Sequence, residues 1–293
     1  MSDTLDIHFI IGVPTFNRAH LIPRIVQSVQ EQKHSNWTIL FVDDYSIDNT
    51  KNVIQEFSEN DSKVQYRRMV KNSGVNAVRN RIIEEAKSLD SQAYLLLIDD
   101  DDYLAPNSLV LAAQNVLKRP EFTWFSLNCN YQNGDPISKI SQYGPLSYLN
   151  DYMFGNKIRG DLTHILRLKS LGNERFTSEF KNGEEWYFWV NLSLTHKMYA
   201  INNAGSIKEY LEGGLTETGI NGDKAIQVLK FKIDVLEPIV GKKNMAHQYV
   251  SLAKHYLAKK DFLSANRVLR EVFKSSPFYL RQYRHWLVLF LAR

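Results

Sequence analysis

Four consecutive carboxylates, Asp99 to Asp102, follow directly on the apolar run Tyr94 to Ile98. At the end of a buried strand such groups repel one another and resist desolvation, so the run needs a compensating cation or a hydrogen-bond network. Mg²⁺ and Mn²⁺ favour carboxylate oxygens and keep positions open for water and substrate phosphates, which makes a divalent ion carrying a nucleotide the natural occupant. The plain alternative is a solvated acidic loop. The apolar strand before the run, and Tyr103, Leu104 and Pro106 after it, argue against that. A second acidic pair, Glu184 and Glu185, opens a helical pattern containing Trp186, Tyr187 and Trp189. A carboxylate there can take a proton from an attacking hydroxyl, or it can simply complement a helix N-terminus. Nearby aromatics can stack on sugar rings or fill a core. His164 lies on a strand-like segment leading toward this pair and is a weaker candidate, since a lone histidine is usually a packed one.

These side chains need a scaffold. Apolar runs at His8 to Val13, Thr38 to Val42, Val64 to Met69, Tyr94 to Ile98 and Phe122 to Leu127 read as strands. Between them Leu21 to Gln30, Thr50 to Phe57, Val75 to Ala86 and Ser108 to Leu117 space their apolar residues as helices do. Alternation of this kind predicts crossover helices on a mainly parallel sheet, an α/β fold. Asp48 and Ser73 stand where N-caps are expected, and Pro106 suits a first helical turn. Ligands of open α/β sheets bind beyond the carboxyl ends of the strands. Pro14, Thr15, Asn17 and Arg18, then Asp43 and Asp44, then Asp99 to Asp102 occupy those ends, so all three groups are expected in one crevice.

The 293 residues suffice for one large domain with an appendage. The expected division is a domain over 1–220, with a nucleotide half at about 1–117 and an acceptor half at about 118–220, followed by a helical region over 221–293. In the latter, Tyr249, Leu252, Ala253, Tyr256, Ala265, Leu269, Val272 and Pro277 fit one tetratricopeptide-like hairpin with no second copy. From Gly241 onward, eleven Lys and Arg face only Asp261 and Glu271, a net charge of +9. The end, Phe278 to Arg293, mixes Leu280, Trp286, Leu287, Leu289 and Phe290 with arginines. It could meet an anionic membrane surface or pack as an ordinary helix. Nucleic acid is not an expected partner, because no reading motif accompanies the charge. A single cysteine, Cys129, and an acidic N-terminus without a secretory pattern point to the cytoplasm, with peripheral attachment at the inner face of the membrane as the extension of that reading.

Four segments together carry a family resemblance: Ile11-Gly-Val-Pro-Thr-Phe-Asn-Arg18, Phe41-Val-Asp-Asp-Tyr-Ser-Ile-Asp-Asn-Thr50, Asn72-Ser-Gly-Val-Asn-Ala-Val-Arg-Asn80 and Leu97-Ile-Asp-Asp-Asp-Asp-Tyr-Leu104. In order and spacing they resemble family 2 glycosyltransferases of the Rossmann-like GT-A fold, over roughly the first 215 residues. The resemblance implies that Pro14, Thr15 and Asn17 line the nucleobase and ribose, that Asp44 accepts from the base and that Arg79 serves base or phosphate. It makes Asp99 and Asp101 the Asp-X-Asp element, with Asp99 and Asp100 on the donor side, Asp101 on a Mn²⁺ or Mg²⁺ ion and Asp102 in support. Family members commonly have Glu-Asp where this chain has Glu184-Glu185; Glu185 is favoured as the base.

The implied activity is metal-dependent, inverting transfer of a sugar from a nucleotide-diphosphate donor, UDP-linked by expectation, to a hydroxyl of a glycan or lipid-linked glycan. A nucleotidyltransferase would show a Gly-rich phosphate loop after the first strand, where this chain has only Gly12, and a dehydrogenase would show G-x-G-x-x-G. A non-catalytic scaffold built on a degenerate transferase is the third reading, and the intact acid run weighs against it.

Overall fold

The structure is a computed structural model describing residues 6–209, 222–279 and 283–287. The chain divides into two compact units, Met1–Leu211 and Glu212–Arg293. The junction expected near residue 220 lies outside the described residues.

The first unit opens with strict alternation: β1 (Phe9–Thr15), α1 (Ile22–Gln30), β2 (Trp37–Asp43), α2 (Thr50–Asn60), β3 (Val64–Arg68), α3 (Val75–Leu89) and β4 (Tyr94–Leu97). The strands lie in the order β3-β2-β1-β4 and pair in parallel throughout. Every residue of β1 is buried, as expected of a central strand covered on both faces. Gly12 makes the close approach of α3 possible, because a Cβ there would sit 2.3 Å from Ile82 Cγ2.

Next come β5 (Tyr103–Leu104), α4 (Ser108–Lys118), β6 (Trp124–Tyr131), β7 (Lys139–Ile140), β8 (Gly144–Leu146), β9 (Ile158–Arg159), β10 (Leu162–Arg167), α5 (Trp186–Ser193) and β11 (Met198–Lys208). The sheet continues β4-β10-β6-β11-β5, with β8 pairing on β11. Here it departs from simple alternation. β6 does not join β4; β10 runs antiparallel between them, so the sheet is mixed, with a parallel half formed by β3, β2, β1 and β4. The segment between Asn128 and Asn182 supplies β10.

Two cap assignments shift. Helices α2 and α3 start at Thr50 and Val75, with Asn49 and Gly74 at the N-cap positions rather than Asp48 and Ser73. Asp48 still serves its turn, accepting from the Thr50 amide (3.0 Å) and from Ala19 N–H (3.2 Å). Pro106 precedes α4, whose N-cap is Asn107 in left-handed conformation.

The second unit comprises α6 (Gly222–Val240), a 3-10 turn at Lys242–Met245, α7 (Ala246–Ala258) and α8 (Phe262–Ser275). Helices α7 and α8 close on a core of Val250, Ala253, Ala265, Leu269 and Val272, and Asp261 caps α8 through the Ser264 amide at 3.0 Å. Trp286 packs against this core rather than standing free to enter a lipid interface. Leu280, Leu289 and Phe290 lie outside the described residues. Among the described residues no helix is long and apolar enough to cross a membrane.

Candidate active site

The ends of β1, β2 and β4 meet as the strand order requires. The Asp44 amide donates to the Thr15 carbonyl at 2.8 Å, and the buried Thr15 hydroxyl is left without a hydrogen-bond partner among the described residues. Pro14 and Thr15 are buried in the last turn of β1. Asn17 is left-handed, with φ 54°; its amide oxygen accepts from Ile47 N–H at 2.9 Å, and its own N–H donates to Ser46 Oγ at 2.8 Å. Its side chain therefore ties the β1 loop to the β2 loop. Asp43, fully buried, closes the second of these loops by accepting from the Ser46 amide and the Tyr66 hydroxyl, each at 2.8 Å.

Asp44 spans the next gap. Its two carboxylate oxygens accept from the Ser73 and Gly74 amides at 2.7 and 2.8 Å. Each oxygen keeps a second lone pair for a further donor. Gly74 has φ +87°, and a Cβ there would fall 2.5 Å from the Lys181 carbonyl, so both conformation and space demand glycine. Beyond it, the first turns of α3 hold the segment that presents the acidic pair. Asn76 Nδ2 donates to the Phe180 and Gly183 carbonyls, both at 2.9 Å. Asn80 exchanges bonds of 3.0 and 2.8 Å with the Phe176 backbone. The Asn72 to Asn80 motif is thus a mounting for Gly183 to Glu185, a role its composition alone did not reveal.

Arg79 joins the two acidic features. Almost fully buried, it donates from Nη2 to Asp99 Oδ1 and from Nη1 to Glu185 Oε1, each at 2.6 Å, with its guanidinium over the Phe176 ring. Burial disfavours its charge, but Asp99 and Glu185 more than offset this and hold it ionised. Its geometry is that of a bridge between two carboxylates. Glu184, left-handed at φ 58°, accepts instead from the Trp186 indole N–H at 2.5 Å. Glu185 stands at the N-cap of α5 and faces the Asp99 side.

The acid run itself is uneven. Burial would raise the Asp99 pKa, but Arg79 and then Lys208 hold it below the usual carboxylate range. Burial, with repulsion from Asp101 and Asp99, pushes Asp100 up to about 7; the Arg18 guanidinium 3.8 Å away opposes this weakly. Burial and then Asp99 push Asp101 up as well. Carboxylate oxygens of Asp99, Asp101 and Asp102 all lie within 4.8 Å of one another, a donor set of hard oxygens that fits Mg²⁺ or Mn²⁺. Asp102, expected only to support the loop, belongs to this group. It also contacts Lys208, whose Nζ lies 2.6 Å from Asp102 Oδ2. Nothing in the sequence announces Lys208, which stands 106 residues away.

A pH dependence follows. With Asp100 at about 7 against an ordinary 3.8, the folded chain holds a proton between those values that the unfolded chain has released. Stability should therefore fall as pH rises through that window. Asp102, grouped with Asp99 and Asp101, is likewise pushed up to about 7 by burial; a cation binds only its ionised form, so the cation's stabilisation should grow over the same range. Thermal melts in chelator should fall from pH 5 to pH 7 more steeply in the native sequence than in Asp100→Asn, and the Mn²⁺-induced shift should be larger at pH 8 than at pH 6.

His164 leaves the site. On β10 it is buried against Trp189, ring centroids 3.9 Å apart. Its Nδ1 accepts from Trp124 Nε1 at 3.1 Å and lies 2.7 Å from Ser126 Oγ. Burial lowers its pKa to about 3, so it is a neutral core histidine. Trp189 is likewise core, stacked on Trp124.

A Rossmann-like sheet whose strand ends present an Asp cluster, backed by a second acidic loop, defines a GT-A nucleotide-sugar transferase. Residues 10–173, more than half of the chain, match the family described as "Glycosyl transferase family 2". The chain belongs to that family. It is similar to the UDP-Glc:alpha-D-GlcNAc-diphosphoundecaprenol beta-1,3-glucosyltransferase WfgD of Escherichia coli, 28% identical over 234 residues that cover 78% of this chain and 85% of that one. It is also 28% identical over 194 residues to the GalNAc(5)-diNAcBac-PP-undecaprenol beta-1,3-glucosyltransferase of Campylobacter jejuni, covering 64% of this chain and 60% of the relative. Among solved structures, S. aureus TarS 1-349 in complex with UDP-GlcNAc superposes with a TM-score of 0.68 at 16% identity, covering 96% of this chain and 88% of TarS 1-349. At that identity the likeness speaks for the fold.

Proposed function

We propose that this chain transfers a sugar from a UDP-sugar to a hydroxyl of a glycan or lipid-linked glycan, with inversion at the anomeric carbon. The observation that carries this is the Arg79 bridge, which sets Asp99 and Glu185 each at 2.6 Å from one guanidinium. Donor cluster and candidate base therefore share one site. Pro14, Thr15 and Asp44 border the nucleoside end, with Asn17 shaping its loop; Asp99, Asp100 and Asp101 border the diphosphate end. Asp99, Asp101 and Asp102 would hold a Mn²⁺ or Mg²⁺ ion, which when bound offsets the charge of a departing diphosphate. Glu185 takes the acceptor hydroxyl proton as the new glycosidic bond forms and the bond to the diphosphate breaks. Glu184 steadies the loop through Trp186. The undecaprenyl diphosphate acceptors named for the two relatives make a lipid-linked glycan the acceptor of choice. The test is UDP release from a panel of UDP-sugars with such an acceptor: turnover in Mn²⁺ that disappears in excess chelator is expected, and full turnover in chelator would remove the cation from the scheme.

A cytoplasmic enzyme working on a lipid-linked acceptor gains from standing at the inner face of the membrane. The second unit offers exposed Leu263, Phe278 and Leu287 with its excess of Lys and Arg, suited to an anionic interface. Phe278→Ser with Leu287→Ser should lower sedimentation with phosphatidylglycerol vesicles several-fold; unchanged sedimentation would sink the membrane reading.

A further inference from the structure

Lys208 is a charged group at the carboxylate cluster that the transfer scheme leaves without a task. It ends β11, whose last turns pair antiparallel with β5, Ile207 opposite Tyr103 and Ser206 opposite Leu104. Since β5 begins immediately after Asp102, that pairing delivers the Lys208 side chain to the acid run. Its Nζ lies 2.6 Å from Asp102 Oδ2 and 3.7 Å from Asp161 Oδ2, and Asp99 adds to its electrostatic hold. The backbone around it is pinned: Glu209 pairs with Arg24, and Arg24 Nη2 donates to the Asp101 carbonyl at 2.6 Å. The Lys208 side chain itself keeps 19% of its surface exposed.

We propose that Lys208 is a tethered counter-ion that shields the cluster while donor is absent, so that a divalent cation loads together with the nucleoside diphosphate rather than ahead of it. An ammonium on Asp102 occupies one of the three carboxylates able to hold the cation and repels a second positive charge arriving at the other two. A diphosphate offers the same ammonium several anionic oxygens. When it enters, Lys208 swings from Asp102 to the diphosphate, and the carboxylate is released to the cation. Cation and diphosphate then bind with positive coupling, and reciprocity requires that each strengthen the other equally. Lys208 is a positioning residue for the donor, and the inference rests on the cation site of the proposed function.

The experiment is Mn²⁺ binding to the full chain by calorimetry and by the paramagnetic resonance of free Mn²⁺, with and without UDP, in the native sequence and in Lys208→Met. The methionine keeps an apolar stem and removes the charge. Lys208→Gln serves if Lys208→Met does not fold, and Lys208→Arg is the conservative control. Mn²⁺ alone should bind Lys208→Met about tenfold more tightly than the native chain, and the strengthening by UDP should shrink by a similar factor, within the usual range of coupling. Lys208→Arg should keep most of the native coupling. Equal Mn²⁺ affinity in both proteins without UDP, with UDP still strengthening binding in both, would overturn the role of Lys208 and leave the cation site intact. No Mn²⁺ binding to either protein, even with UDP, would overturn both.

Discussion

Glu185→Gln is expected to lower turnover by about 10² to 10⁴, the span that a general base contributes, while UDP affinity in Mn²⁺ stays within about twofold of native. The two parts of this expectation have separate grounds. Glutamine has the shape of glutamate and can still meet Arg79 through its amide oxygen, so the bridge from Asp99 to α5 survives and the diphosphate end of the site is left in place. Glutamine cannot accept the acceptor proton, so only the step that makes a nucleophile of the hydroxyl is lost. Glu184→Gln should cost far less, because its carboxylate is engaged by the Trp186 indole and glutamine keeps an oxygen for that bond. Steady-state rates, paired with UDP binding for each variant, read the difference. A larger loss in Glu184→Gln than in Glu185→Gln would exchange their roles.

The parallel half of the sheet and the helices that cross it were legible because each is a local pattern. An apolar strand, a polar turn and a helical period recur within some thirty residues, and β1 to β4 formed close to where those patterns stand. Long-range pairings left no such trace. Nothing around Leu162–Arg167 indicates that it inserts between β4 and β6, since the strand partner is chosen by packing across the whole unit. Lys208 escaped for the same reason, reaching Asp102 only because β11 pairs with β5. Caps shifted by one residue because Asn49 and Gly74 compete with Asp48 and Ser73 for adjacent turn positions, which composition alone does not rank. At the site, the residue types were legible but their contacts were not. Arg79 read as a ligand for base or phosphate, and its burial between two carboxylates makes it a structural bridge as well. Asp102 read as support, and the fold sets its oxygens beside those of Asp99 and Asp101.

The acid run also separates stability from activity, and Asp101→Asn should show it. Burial, and then repulsion from Asp99, raises the Asp101 pKa. Asparagine removes one charge from the crowd while its backbone carbonyl, the acceptor for Arg24 Nη2, stays in place. In chelator at pH 8, where the run is most ionised, the variant should melt at or above the native temperature, since relief of repulsion is worth something and no buried contact is lost. In Mn²⁺ the order should reverse. An amide is a weaker cation ligand than a carboxylate, so metal affinity falls, and losing charge stabilisation at the departing diphosphate should cost about 10² to 10³ in turnover. Functional sites commonly hold such groups at the expense of stability, and a variant gaining one as it loses the other is the signature. If Asp101→Asn instead melted lower in chelator and kept its turnover in Mn²⁺, the carboxylate would be serving the fold, and the cation would have to be sought on Asp99 and Asp102 alone.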